Sequence, residues 1–377
     1  MAQQPTSTKN NLEHLIQTIS EKYAPDKRVE VFSIEAIEAE KGMHLKGETT
    51  NEDAYKELMG EARKIHPHIE DNIRILPDEV VGENNWGIVY NSVADLRSKP
   101  AYSSEMVTQV LLGMSVKILD KSESWLRIQT PEGYIGWISG SVQRLNHEEV
   151  QDYLAKPKIV VTAHYAMSYA QLNTQSQPVS DVVVGNMLNV DGEEKDFFRV
   201  TYPDGRVAFV EKQNAKDLKE WLEGIELSGE SIVETAKRLM GVPYVWGGTS
   251  AKGLDCSGFT KTVYWLHGLI IARDASQQIK YGVEVDNNGT FKNADLGDLV
   301  FFGSKPSDDN PKERVVHVGI YIGNKQFIHA SDFIKINSFD PNSELYDAHN
   351  ANRYLRTMRY LGSEGGLGIT RFVKQRQ

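Results

Sequence analysis

Cysteine is all but missing from this chain, with one thiol, Cys256, in 377 residues. A single cysteine excludes an intrachain disulfide and any zinc or iron–sulfur centre built on several thiolates. Positive charge is also short: Lys plus Arg is 42, Asp plus Glu is 52, and the formal net charge is −10. Binding along a nucleic-acid backbone needs clustered cations, so no nucleic-acid partner is expected. No apolar run approaches the roughly 18 residues that would cross a bilayer. The opening residues, from Met1 to Asn11, lack the apolar stretch of a secretory leader. As written the chain reads as cytoplasmic, and a cleaved export signal would make it periplasmic or secreted. What is present is ordinary: 40% hydrophobic and 25% charged residues, a globular composition long enough for two or three domains.

Residues 1–75 read as a small α/β segment. Leu12, Leu15, Ile16, Ile19 and Tyr23 recur at helical spacing, and so do Ala54, Leu58, Ala62 and Ile65. Between them, 29–37 and 43–48 are strand-like, broken at Lys41-Gly42. His66-Pro67-His68 has no third ligand nearby and reads as a loop, so no metal is assigned there.

The middle of the chain repeats itself. The stretch from Val107 aligns without a gap on the stretch from Val179, an offset of 72. Gly113 falls on Gly185, Trp125 on Phe197, Pro131 on Pro203, Gly133 on Gly205 and Trp137 on Phe209. Short apolar strands between turn signals suggest two small closed barrels, over 76–148 and 149–216. They resemble the bacterial SH3-like domains often attached to cell-wall enzymes. Two polar positions break the match: Tyr134 faces Arg206, and Glu105 faces Gln177. Drift on solvent-facing sites explains this, and so does a task performed by the first barrel alone.

From 217 to 377 the pattern is mixed. Ser231 and Glu234 have capping-box spacing, and the helix they open stops before Gly241 and Pro243. An aromatic, glycine-rich loop, Tyr244-Val-Trp-Gly-Gly, leads to Asp255-Cys256-Ser257-Gly258-Phe259. Asp255 suits an N-cap, and Gly268 suits the C′ position that ends the helix. Cys256 then lies in the first turn, where free amides and the helix dipole favour a thiolate and can hold an oxyanion.

A nucleophilic thiol needs a base. Val315–Ile322 alternates, with Val316, Val318, Ile320 and Ile322 on one face and His317 on the other. Across Gly323-Asn324-Lys325 the return strand carries His329. With an odd hairpin loop the two histidines share a face as diagonal neighbours, roughly 7–8 Å apart; with a two-residue loop His329 points away. The catalytic reading has Cys256 attack, His317 take the proton and His329 fix the tautomer. Two ordinary strand histidines are the alternative, and two histidines without a carboxylate make a poor zinc site.

Taken in order, Tyr244-Val-Trp-Gly-Gly, Asp255-Cys-Ser-Gly-Phe, Arg273-Asp274, Leu296-Gly-Asp-Leu-Val-Phe-Phe, His317-Val-Gly-Ile-Tyr and His329-Ala330 resemble the NlpC family of papain-like cysteine peptidases. With two SH3-like barrels in front, the whole chain resembles the YkfC type within it. The resemblance implies a multidomain α+β protein with a papain-like catalytic domain, no cofactor, and a Cys256–His317–His329 triad lined by Tyr244. It implies hydrolysis of γ-D-glutamyl–diamino acid bonds in murein tripeptides or tetrapeptides. In that type the first barrel closes one end of the cleft and selects a free L-Ala amine, and the positions matching those contacts are Asp255, Ser257, Tyr134 and Glu105. A carboxylate and a phenol suit an ammonium ion. Some relatives carry a serine directly after the Arg-Asp step; here Ala275 holds that place and Ser276 follows. Nothing in the sequence calls for an oligomer, and a monomer is expected. A secreted lysin that cuts intact wall, and a wall-binding protein without activity, are the competing readings.

Overall fold

The computed structural model describes residues 5–39, 42–308 and 310–372. At the N-terminus, helices Pro5–Tyr23 and Glu52–Ile65 pack against a three-stranded sheet of Phe32–Ala39, Gly42–Thr49 and Glu70–Ile75. The first two strands are antiparallel and the third runs parallel to the second. Leu12, Ile19, Leu45 and Leu58 fill the space between the layers. Asn51 caps the second helix by accepting from the Ala54 amide at 2.8 Å. His66 and His68 lie in the turn after that helix.

Two seven-stranded antiparallel sheets follow. The first has strands Trp86–Val89, Val93–Arg97, Met106–Leu111, Ser115–Ser122, Trp125–Gln129, Ile135–Ser139 and Val142–Leu145. Adding 72 to six of these ranges, all but Val142–Leu145, lands on Lys158–Val161, Tyr165–Tyr169, Pro178–Val183, Met187–Glu194, Phe197–Thr201 and Val207–Glu211. Strand order is the same in both copies. The turns repeat too: Thr130 N–H donates to Tyr134 C=O at 2.9 Å, and Tyr202 N–H to Arg206 C=O at 2.8 Å. Gly133 and Gly205 occupy these turns at φ +88° and +90°, a conformation that a side chain would strain. Helix His147–Ala155 joins the sheets, and its Val150 packs with Ile88 of the first.

The C-terminal domain is built on a six-stranded antiparallel sheet. In spatial order its strands are Val283–Asp286, Tyr354–Arg359, Leu299–Ser304, Arg314–Tyr321, Gln326–Ala330 and Ile334–Ser338. Helices Gly229–Arg238 and Cys256–Trp265 cover one face, burying Ile232, Phe259 and Val263 against Val318, Ile320, Ile328 and Ile334. Phe302, Phe327 and Tyr321 pack on the other face. The architecture is thus the multidomain α+β arrangement read from the sequence.

Two local expectations need correction. The helix before the glycine-rich loop starts one turn earlier than Ser231: its N-cap is Ser228, and Ser231 is the third helical residue, its amide donating to Ser228 Oγ at 3.2 Å. Gly229 sits so close to the Leu296 carbonyl that any side chain would collide with it, so tertiary packing fixes the start. The Cys256 helix is capped at Leu266, and Gly268, at φ +70°, lies beyond the C′ position. Val316, on the same face as Val318 and Ile320, is 42% exposed, because the strand runs past the end of its hairpin partner.

Candidate active site

Cys256 opens its helix. Asp255 is the N-cap, with Oδ1 accepting from Gly258 N–H at 2.7 Å and Oδ2 from Gly247 N–H at 2.9 Å. The buried Arg273 guanidinium grips the same carboxylate, reaching Oδ1 at 3.1 Å and Ser257 Oγ at 3.0 Å. The paired strands Arg314–Tyr321 and Gln326–Ala330 stay in register only at Ile320–Ile328 and Tyr321–Phe327. Past that point the Val318 amide is released from the ladder and meets the Cys256 sulfur. The helix start therefore sits where the sheet splits, one residue from His317.

The electrostatics differ from the dipole argument. Burial, and then the Asp255 carboxylate, push the Cys256 thiol up to about 12; the Val318 amide and Arg273 only partly oppose them. Desolvation of a charge outweighs a helix terminus here. Burial likewise holds His317 well below the ordinary imidazole value, with the neighbouring His329, Arg353 and His349 adding to the effect.

The hairpin loop has five residues between Tyr321 and Phe327, the odd case. His317 Nε2 and His329 Nδ1 lie 2.7 Å apart, with rings nearly perpendicular at 80°. Phe302 flanks His317 and Phe327 flanks His329. Gly319 leaves room beside them: a Cβ there would stand 3.0 Å from the Ile328 carbonyl and 3.2 Å from His329 Cβ, tighter than ordinary contact. Tyr244 adjoins the thiol: its phenol is pushed up by burial and then by Cys256 and Asp255, so it stays protonated and able to donate. Among the described residues no group of three or more His, Cys, Asp or Glu could hold a metal ion.

Residues 241–358 match the model of the NlpC/P60 family, and residues 92–142 that of the bacterial SH3 domain. A gamma-D-glutamyl-L-lysine dipeptidyl-peptidase of Bacillus cereus is 31% identical over 264 residues, 67% of this chain and 76% of that protein. The chain belongs to the NlpC/P60 family. It is a cysteine peptidase. Dipeptidyl-peptidase 6 of Lysinibacillus sphaericus is 29% identical over 269 residues, 69% of this chain and 93% of its own. A solved NlpC/P60 family protein from Bacillus cereus superposes with a TM-score of 0.62 at 26% identity, covering 73% of this chain and 99% of that one.

The first barrel is built into the wall of the NlpC/P60 domain through Met106–Leu111. Thr108 Oγ1 accepts from Arg273 Nε at 2.8 Å, and the Gln109 carbonyl accepts from Thr249 Oγ1 at 3.0 Å. Gly247, at φ +77°, presses on the Met106 carbonyl so closely that a Cβ would clash. Glu105 accepts from Trp246 Nε1 at 2.9 Å, in the loop that bears Tyr244. Tyr134 is buried and donates to Asp274 Oδ2 at 3.2 Å. Both positions that break the repeat thus contact the NlpC/P60 domain.

Arg273, Asp274 and Arg28 were not singled out as site residues from sequence. The Arg273-Asp274 step was visible as a motif; its link to Asp255 was not. Arg28 of the N-terminal segment donates through Nη1 to Asp274 Oδ2 and Ser276 Oγ, both at 2.8 Å. The serine displaced by one position therefore faces Arg28, while Ala275 is buried in the core. No sequence signal links residues 246 apart.

Proposed function

We propose that this NlpC/P60 enzyme hydrolyses the γ-D-glutamyl–diamino acid bond of murein peptides that carry a free N-terminal L-Ala, and serves in recycling wall peptides. The observation that carries the reading is the placement of Glu105 and Tyr134, which the first barrel delivers to the catalytic domain beside Trp246 and Asp274. The relatives named gamma-D-glutamyl-L-lysine dipeptidyl-peptidase and dipeptidyl-peptidase 6 support it, since release of a dipeptide requires a chain that begins two residues before the cut.

In this reading Cys256 attacks the γ-glutamyl carbonyl while its proton passes to Nδ1 of His317. Burial disfavours the charged form of both the thiol and the imidazole, so in this reading the proton moves to His317 as the sulfur attacks. Carbon–sulfur bond formation gives a tetrahedral oxyanion. Asp255 already takes up the Gly258 and Phe259 amides, so the Cys256 amide and the Tyr244 hydroxyl are the donors offered to that oxygen. The C–N bond then breaks, His317 protonates the leaving amine, and water activated by the same ring hydrolyses the thioester. Asp255 oxygens are engaged by Arg273, so at the amine pocket Asp255 and Ser257 contribute charge and shape, while Glu105 supplies the carboxylate for an ammonium ion.

The test compares L-Ala-γ-D-Glu-diamino acid tripeptide with its N-acetylated form, using diaminopimelate and lysine versions of each. A loss of kcat/KM of at least about 100-fold on acetylation is expected, because the site's polar groups lose their partner. Equal rates would overturn the amine gate. Release of soluble fragments from intact sacculi at a comparable rate would favour a wall lysin instead.

A further inference from the structure

Three adjacent strands bring polar side chains to the same sheet face: His317 on Arg314–Tyr321, His329 on Gln326–Ala330, and Lys335 and Asn337 on Ile334–Ser338. The register sets Phe327 against Asn337 and His329 against Lys335, so Asn337 is the diagonal neighbour of His329, as His329 is of His317. The chain of contacts is continuous. His317 Nε2 is 2.7 Å from His329 Nδ1, His329 Nε2 is 2.8 Å from Asn337 Oδ1, and Asn337 Nδ2 donates to the Leu345 carbonyl at 3.1 Å.

The last contact fixes all the others. A carbonyl oxygen can only accept, so the amide must turn its NH2 to Leu345 and its oxygen to His329. The Leu345 carbonyl is itself held by the Ser338 amide at 2.8 Å. Facing an oxygen, His329 must carry its proton on Nε2, and its Nδ1 is then a lone pair. Facing that lone pair, His317 must carry its proton on Nε2. The lone pair left on His317 is Nδ1, the nitrogen that has to receive the thiol proton. We propose that Asn337, anchored by Leu345, is a positioning residue that sets the tautomer of both histidines and so presents His317 to Cys256 as a base. This rests on the peptidase reading above and extends it by one residue.

Asn337 is neutral, which suits its surroundings. The histidine pair already faces Arg353, His349, Lys335 and Asp347. An aspartate at 337 would add an anion, hold protons on the rings and repel the Leu345 carbonyl.

The decisive experiment reads the ring nitrogens directly, by 15N NMR of histidine-labelled full-length protein at neutral pH, assigned with His317→Gln and His329→Gln. Nε2–H on both rings is expected, and Nδ1–H on either ring overturns the proposal whatever the activity. Kinetics on the free tripeptide give the second readout. Asn337→Ala should lower kcat about 10- to 100-fold, the range for loss of a partner that orients an active histidine, with KM within twofold. Asn337→Gln should recover part of the loss, and Asn337→Asp should move the acid limb of the kcat/KM profile to higher pH. Wild-type kcat and an unchanged pH profile in Asn337→Ala, with the fold intact by thermal melting, would also overturn it. Cys256→Ala separates the two levels: if it stays active, the peptidase mechanism fails, whereas a dead Cys256→Ala beside an unaffected Asn337→Ala removes only the role of Asn337.

Discussion

Lys261, on the helix that begins with Cys256, reaches Glu132 in the first barrel across 3.2 Å, and both side chains are at most 5% exposed. Glu132 lies in the Pro131-Glu132-Gly133 turn that leads to Tyr134. In the second barrel the matching residues are Asp204 and Arg206, which pair with each other at 2.7 Å in a more exposed turn. The first copy has turned the same turn into a tether to the catalytic helix.

Removing one partner of a buried ion pair leaves the other uncompensated, at a cost of about 3–5 kcal/mol. Glu132→Ala should therefore lower the urea midpoint strongly. It should also raise KM for the free tripeptide, because Tyr134 loses its support. Glu132→Leu combined with Lys261→Met should recover most of the stability. A midpoint within error of wild type for the single variant would show that the pair contributes nothing.

Tyr134→Phe deletes one hydrogen bond to Asp274. A bond to a charged group contributes about 1.5–3 kcal/mol, so kcat/KM on free-amine tripeptide should fall about 10- to 100-fold. The N-acetylated peptide, which makes no use of the amine pocket, should be cleaved at its unchanged low rate. An equal loss on both substrates would place Tyr134 in general stability rather than in selection.

Tyr244→Phe tests the oxyanion. Loss of one such donor costs about 100- to 1,000-fold in kcat, and KM should hardly move. Tyr244 also braces its loop through its own amide, which donates to the Asp332 carbonyl at 2.9 Å, a bond the substitution leaves in place. A wild-type kcat would remove the phenol from the mechanism.

Stability should depend on pH in the weakly acidic range. Burial lowers His317, His329 and His267 below the ordinary imidazole value of 6.5. As pH falls through 6.5 the unfolded chain takes up protons that the folded protein resists. Unfolding is then coupled to proton uptake, and stability present above 6.5 is lost below it, by up to about 1.4 kcal/mol per pH unit for each ring. Asp26, Asp286 and Asp347, which are lowered from 3.8, act only further down. The melting temperature should drop between pH 7 and pH 5, and His267→Gln, outside the triad, should flatten the slope. A level melting curve over that interval would contradict the burial of neutral rings.

Local periodicity made much of this protein readable. The 72-residue repeat carried strand after strand of one barrel onto the other, and hairpin parity narrowed His317 and His329 to two arrangements, of which the odd loop is the one found. Asp255 as N-cap and Cys256 in the first turn followed from the same kind of pattern. What stayed hidden depends on packing between distant segments. Ser228 rather than Ser231 opens its helix because Gly229 must fit against Leu296. Burial and the Asp255 carboxylate push the Cys256 thiol up against the pull of the Val318 amide and Arg273. Arg28 meets Asp274 and Ser276, and Asn337 meets His329, through tertiary contacts that no spacing announces.

The central claim is that Cys256 forms a covalent acyl intermediate with the γ-glutamyl group, its proton passing to His317 as it attacks. Acid quenching of the enzyme during turnover of L-Ala-γ-D-Glu-diamino acid peptide, followed by intact-mass and peptide mapping, tests it directly. A thioester carrying the L-Ala-γ-D-Glu acyl group on Cys256, absent from Cys256→Ala and scarce in His317→Ala, is the predicted result. Product formation by Cys256→Ala at the wild-type rate, with no adduct at any time point in wild type, would contradict it.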